Sequence, residues 1–418
     1  MTTPAIHQPL ADIDLTDTRL WMSDPHPTLH RLRAEAPVHW HESNRGHPMF
    51  GHPFWALTRH RDVTYVSRHP ELFNSGNGFQ VNTHSVGFSD YDTFAMLQAD
   101  DPYHGWVRAL VSKAFTAKMV ITAEAYIREI TRTVLDEAAA LGGEFNFVDE
   151  ISAKVPIRVI GDMLGVPRED QRLLKTWTDA LIDLDDVVID QHGTPRSAKA
   201  SAAVTDMFTY LEHLQQLRAA NPGDDLISKL MAAEINGERL TWRQQREIFF
   251  VLVTAGNETT RNTTSCGVRA LAEHPDQRRQ LCEDPGLIKQ AVEEMLRWGT
   301  VVSHFRRTAT QDTVIGDQPI AKGDWVVMYY SAANRDPETF TDPDRFDIHR
   351  NPKQHVAFGG GGPHFCLGAP LARLQLRVAF EELLARFPSY DLAGPIRFND
   401  SSLFHGIKQL PVRLNSTR

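Results

Sequence analysis

The chain lacks the marks of several function classes. Of its 418 residues only three are cysteine, Cys266, Cys282 and Cys366, far apart and forming no C-x-x-C. Neither a disulfide framework nor a structural zinc site is indicated, and a reducing cytoplasm is the expected compartment. Basic residues are not in excess: 44 Lys and Arg stand against 53 Asp and Glu, a formal net charge of −9, which disfavours nucleic acid as a partner. Long apolar runs are missing too. The longest, Ile248 to Ala255, falls far short of the roughly 20 residues that cross a bilayer. The N-terminus has no basic stretch followed by an apolar one, so neither an export signal nor a transmembrane anchor is expected. The 19 histidines fall into no H-E-x-x-H or similar ligand spacing.

What is present is a globular composition, 41% apolar and 23% charged, which excludes a disordered or collagen-like chain. No linker-like stretch and no internal repeat interrupts it. The expectation is therefore one domain over 1–418, with 1–36 as an N-terminal extension. From Val38 to Val66, short alternating runs bounded by Gly46, Gly51 and Pro53 predict a small antiparallel sheet. From Thr122 to Trp298 the period is 3.6, with breaks at Gly142-Gly143, at Gly165 and Pro167, at Gly193 to Pro195 and at Asn221 to Gly223. That pattern predicts six or more helices. The longest opens at a capping box, Thr241 and Gln244, and meets no proline until Pro275. Its about 33 residues would run about 50 Å, the width of the molecule. Strand-like runs follow Trp298, and a hairpin is expected around Ser402 to Leu414. The fold class is mostly α with small peripheral β-sheets.

Three features carry chemistry. The first is Phe358 to Gly368, FGGGGPHFCLG, which leads into a helical pattern. Four glycines supply no side chains, so their use is backbone shape or close approach. Cys366 stands where the loop turns into the helix, where amide N–H groups favour the metal-binding thiolate. An inert buried cysteine is the alternative, whereas the loop matches no phosphate-binding pattern. The second is Ala255-Gly-Asn-Glu-Thr-Thr260 in the middle of the long helix, where the local helix penalty sums to about 2 kcal/mol. Ala255 and Gly256 lie on the face of Thr259 one turn back, leaving either a groove beside a hydroxyl or a close helix crossing. The third is Glu294-Met-Leu-Arg297. E-x-x-R also occurs at Glu42/Arg45, Glu129/Arg132, Glu169/Arg172 and Glu258/Arg261, so only position gives it weight.

In order along the chain stand DDPYHGWVR (Asp100 to Arg108), the acidic threonine segment, E-x-x-R, DPDRF (Asp342 to Phe346) and the glycine loop with its cysteine. In this order the chain resembles the cytochrome P450 family, from about Pro37 to Arg413. The resemblance implies a triangular, mostly α fold with haem b held between two helices and Cys366 as axial thiolate of the iron. It implies propionate binding by His104, Arg108, Arg307 and His364. Phe358, Gly359 and Gly368 would lie against the haem, and Ala255 and Gly256 would form the oxygen groove. Thr259 matches the threonine that hydrogen-bonds bound oxygen, and Glu258 the acid that supports proton delivery. Glu294 and Arg297, with Arg345, match an ion-pair network that serves folding. One extra residue lies between Phe358 and Cys366, absorbed in the glycine run. With AGNETTR and LFHGIKQLPV, it is similar to a bacterial subgroup acting on sterols, methyl-branched lipids or terpenoids.

The segments that match the family's substrate-reading regions contain Phe79, Val81, Phe94, Leu97, Val301, Val302 and Phe404, and an apolar pocket suits an apolar substrate. The function implied is a monooxygenase that hydroxylates an unactivated C–H bond of a lipophilic molecule with O2. Its electrons would come from a separate ferredoxin and a NAD(P)H-dependent ferredoxin reductase, docking where Arg108, Lys113 and Arg373 stand; a monomer is expected. The alternatives are a haem-thiolate enzyme of another reaction type, such as a peroxygenase or oxidative ring-former, and a non-catalytic lipid- or haem-binding protein.

Overall fold

The computed structural model describes residues 9–42, 52–81, 95–113, 115, 117–182 and 196–415. The long helix runs Trp242–Glu273 and has the capping box that its sequence announces: Thr241 accepts from the Gln244 amide and Gln244 reaches back to the Thr241 amide. Proline at position 275 opens the next helix, Pro275–Glu283. Around the long helix pack Ala117–Leu141, Lys154–Leu164, Gln171–Ile182, Arg196–Ala220, Ile288–Gly299 and the C-terminal helix Ala369–Arg386. Of the expected breaks, those at Gly142-Gly143 and Gly165 fall where expected, all three glycines having positive φ, and the one at Gly193 to Pro195 lies outside the described residues.

Two apolar cores meet on the long helix. Ile248 to Val253 enter the one shared with 154–164, 171–182 and 196–220. Cys266 to Leu271 enter the other, shared with 117–141, 288–299 and 369–386. The small and polar residues 254–263 lie between them, partly buried and partly open to a cavity. The expense of Gly256 and four threonines there is offset by the apolar packing at both ends.

A five-stranded sheet takes the order Val38–His41, Phe54–Leu57, Trp325–Tyr329, His304–Ala309, Phe73–Asn74. The expected sheet over Val38 to Val66 needs correction at its end, because His60–Arg68 is a helix. Asp62, Val63 and Val66 are its buried residues, a helical spacing that the β-branched composition conceals. The expected terminal hairpin is also not formed. Ile407–Gln409 pairs with Arg397–Phe398, and Pro411–Asn415 pairs with Ser389–Leu392 and Glu144–Asn146. Leu410 divides the two strands: its amide donates to Asn146 Oδ1, and its carbonyl accepts from Phe147 N.

Glu294 and Arg297 are fully buried and bind bidentately at 2.7 and 2.7 Å. Arg297 also donates to the carbonyls of Asn334, Pro343 and Arg345. The expected third member is corrected: Arg350, not the exposed Arg345, brings its guanidinium to Glu294 at 3.2 Å. Arg345 supplies only backbone.

Candidate active site

The loop before the C-terminal helix owes its shape to the glycine run. Gly359, Gly361 and Gly362 have φ of +94°, +97° and +75°, a region open to glycine and strained for other residues. A Cβ on Gly360 or Gly362 would overlap Ser67 of the helix His60–Arg68. Backbone approach to a neighbouring helix is therefore what the run provides. Gly362→Ala is expected to cost about 1–3 kcal/mol and to lower cofactor retention, checked by thermal melting and by the haem-to-protein ratio; an unchanged melting temperature would refute this.

The Cys366 amide donates to the Phe358 carbonyl at 3.0 Å, which closes the loop. Cys366 lies deep in the molecule, yet it is exposed, because its exposure is to an internal cavity of about 300 Å³. Burial pushes its thiol up, while the Gly368 amide, Arg108, the Ala369 amide and Arg373 pull toward thiolate. A group that replaces that burial with a metal bond would favour the thiolate further.

The same cavity is lined by Leu252, Ala255, Gly256 and Thr259 of the long helix. The Thr259 hydroxyl donates to the Ala255 carbonyl at 2.8 Å, which leaves its oxygen lone pairs available as acceptors. A Cβ on Gly256 would stand 3.5 Å from Ile160, ordinary contact, so no tight helix crossing requires glycine there. The groove is the better account.

Glu258 is buried and also lines the cavity. Burial pushes its carboxyl up to about 7 although Arg261 pulls the other way. Arg261 makes a close ion pair with Glu258 Oε2, but the contact is not aligned as a hydrogen bond. Asp179 competes for the same guanidinium at 2.7 Å and is itself held by Lys175 at 2.6 Å. The E-x-x-R at Glu258/Arg261, one of several in the sequence, is thus a buried pair at the cavity wall.

Arg108, Arg307 and His364 line the cavity together. Among the described residues, no carboxylate lies within ion-pair distance of Arg108 or Arg307. Their side chains donate to the carbonyls of Phe365 and Arg306 instead. Burial lowers both arginines, and burial with Arg307 lowers His364 to about 2. Leaving buried cations unpaired costs several kcal/mol. These residues therefore fit a bound group that carries carboxylates, while Cys366 and the small residues that share its cavity fit one that carries a metal and is flat. His104 does not reach the cavity: it stacks on His364 with ring centroids 4.1 Å apart, so it supports the imidazole from behind.

The apolar wall is made by Phe79, Met96, Leu97, Val301, Val302, Phe305 and Phe404, with Val302 bridged to Phe404 through the backbone. Val81, expected in that wall, is buried instead in the core with Trp21, Leu29 and Tyr329. Phe94 lies outside the described residues. The expected basic docking face is corrected in two places. Arg108 is turned into the cavity, and Arg373 is paired with Glu293 at 2.7 Å, while Lys113 remains exposed. Leu252, Phe305 and Gln375 also line the cavity. Helical spacing from Thr259 would have found Leu252; nothing local in sequence marks Gln375.

A family profile described as Cytochrome P450 matches residues 284–392. The methyl-branched lipid omega-hydroxylase of Mycobacterium tuberculosis is 38% identical over 417 residues, 98% of this chain and 96% of that protein. The linalool 8-monooxygenase of Pseudomonas putida is 37% identical over 399 residues, 93% of this chain and 95% of its own length. The solved structure of Mycobacterium marinum cytochrome P450 CYP268A2 in complex with pseudoionone superposes with a TM-score of 0.90 at 37% identity, covering 98% of this chain and 100% of that one. With relatives of this identity along nearly its full length, and with the same mostly α fold, the chain belongs to the cytochrome P450 family, the haem-thiolate monooxygenases.

Proposed function

We propose that this enzyme binds haem b through Cys366 and hydroxylates a C–H bond of a terpenoid or methyl-branched lipid, with electrons delivered by a separate ferredoxin. The observation that carries the reading is one cavity lined by Cys366 together with Ala255, Gly256 and Thr259, and by Arg108 and Arg307, which have no acidic partner among the described residues. In it Arg108, Arg307 and His364 would hold the propionates, with His104 behind His364. Phe358, Gly359 and Gly368 would lie against the cofactor. Thiolate-ligated haem, when bound, supplies cleavage of O2 and insertion of one oxygen atom into substrate with two electrons and two protons, the second atom leaving as water.

The protein's part is to orient, to keep water out and to carry protons. The Thr259 oxygen, its proton committed to Ala255, stands as an acceptor in the groove. Glu258, poised at about 7, can give up and regain a proton near neutral pH. Asp179 and Lys175 connect its partner Arg261 to the half-exposed end of the helix Gln171–Ile182. The walls formed by Phe79, Leu97, Val301, Val302 and Phe404 would bind the substrate's hydrocarbon body, in keeping with the lipid and terpene alcohol named for the relatives.

A raised acid is protonated below its folded pKa and charged above it. Turnover limited by proton supply from Glu258 is therefore expected to fall as pH rises through about 7, and Glu258→Gln is expected to be slow without that fall. The same slope in Glu258→Gln would reject the assignment. The substrate class is tested by optical titration with a panel of lipophiles. Tight binding of acyclic terpenoids or branched fatty acids supports the proposal; binding of neither rejects it.

A further inference from the structure

Glu293 and Glu294 are neighbours on the helix Ile288–Gly299 but hold different parts of the chain. Glu294 holds Arg297 and Arg350. Glu293 turns to the loop that carries Cys366. Its Oε1 accepts from Arg373 Nε at 2.7 Å, and its Oε2 from Arg373 Nη2 at 2.9 Å and from His355 Nε2 at 3.0 Å. The Ala357 amide lies 3.2 Å from His355 Nδ1, and Nε2 is the ring nitrogen directed at the carboxylate. Burial alone would raise Glu293, yet His355 and Arg373 hold it down to about 2. The carboxylate thus faces the permanent positive charge of Arg373.

Both partners of that carboxylate lie on one aromatic ring. The guanidinium carbon of Arg373 is 4.5 Å from the centroid of Phe358, and the His355 ring is 5.8 Å from it. Phe358 lines the cavity, and its carbonyl is the one that the Cys366 amide bonds. An arginine cannot shed its proton. Left alone it would place a permanent positive charge against the ring of Phe358, the residue whose carbonyl the Cys366 amide bonds. A carboxylate in a bidentate contact opposes that field, and the pull of Arg373 on Cys366 is the smallest of those acting on it.

We propose that Glu293 is a charge-masking residue, neutralising Arg373 beside the Cys366 loop and so keeping the reduction potential of the haem iron low, with His355 holding the carboxylate in place. This rests on Cys366 being the iron ligand. Adding an electron to the iron is favoured by nearby positive charge, and groups around the ligand set that potential. Removing the mask therefore raises it. Glu293 is a positioning and electrostatic residue; it touches neither cofactor nor substrate.

The test is the midpoint potential of the haem-loaded full-length protein, measured by spectroelectrochemistry without substrate. Glu293→Gln, which keeps the shape and removes the charge, is expected to shift the potential upward. Arg373→Gln alone is expected to shift it downward, since it leaves the carboxylate unopposed. The double variant is expected to return close to the unaltered protein. Simple loosening of the loop would move both single variants the same way and would not cancel in the double. Either that pattern, or an unmoved Glu293→Gln, overturns the proposal. The reduced carbon monoxide spectrum separates the two layers. Absence of the red-shifted band in the unaltered protein overturns the Cys366 reading and this one with it, whereas a normal band with unmoved potentials overturns this one alone. Should Glu293→Gln fail to fold, Arg373→Gln decides by itself: an unchanged or raised potential refutes the mask.

Discussion

Cys366→Ala is expected to remove the strongly red-shifted Soret band of the dithionite-reduced, carbon monoxide-bound protein, and with it all turnover above the haem-free background. No other cysteine can stand in. Cys266 is buried in the helix packing against Gly299, and Cys282 lies near the carbonyls of Leu384 and Pro388. His364 is the nearest alternative by chemistry among the cavity residues, but it is stacked on His104 and bonded to Ser75 at 3.1 Å. Any iron it bound would lack the thiolate's electron donation. The fold should tolerate the change, because the Cys366 backbone bond to Phe358 survives in alanine. An unchanged melting temperature of the apoprotein is thus the control. A variant that retained the red-shifted band would refute the axial assignment and the oxygen-activating roles of Glu258 and Thr259 together.

Arg297→Ala is expected to be the most destabilising single substitution outside the cavity. Both members of the pair with Glu294 are fully buried. Removing the cation leaves a buried carboxylate with only Arg350 and the Asp347 amide beside it, and strips the carbonyls of Asn334 and Pro343 of their donor. Breaking such a pair costs about 3–5 kcal/mol, against a total stability of about 5–15 kcal/mol for native proteins. The measurement is the midpoint of denaturant unfolding with haem loading recorded alongside. Arg297→Lys should fall between, since it keeps the charge but loses the fork that serves several acceptors at once. A loss below about 1 kcal/mol in Arg297→Ala would mean that the network is worth no more than an exposed ion pair.

Sequence reading succeeded where information is local. The capping box at Thr241 and Gln244, the glycine stops at 142, 143 and 165, and the glycine loop ahead of Cys366 are each written in a few consecutive residues, and each appears in the structure. It failed where composition misled or where partners are remote. Residues 60–66 are β-branched enough to read as strand, yet they form a helix because Val63 and Val66 share a buried face. Val81 is as apolar as its neighbour Phe79, and only packing sends one to a core and the other to the cavity.

The sequence by itself determined the ordered set of chemical groups: a lone cysteine after four glycines, an acid and a threonine in mid-helix, and arginines and histidines at intervals along the chain. It also determined the long helix that presents two of them, because helix periodicity and caps are short-range properties. The tertiary structure alone decided which charges are cancelled and which are left over. Arg373 and Arg307 look alike in sequence, yet one meets Glu293 while the other is buried with no carboxylate within ion-pair distance among the described residues. Likewise Arg350 rather than Arg345 completes the Glu294 network. Such pairings depend on contacts between residues far apart in the chain, and a charge's effect depends on its burial and on its neighbours in space, neither of which a linear pattern encodes.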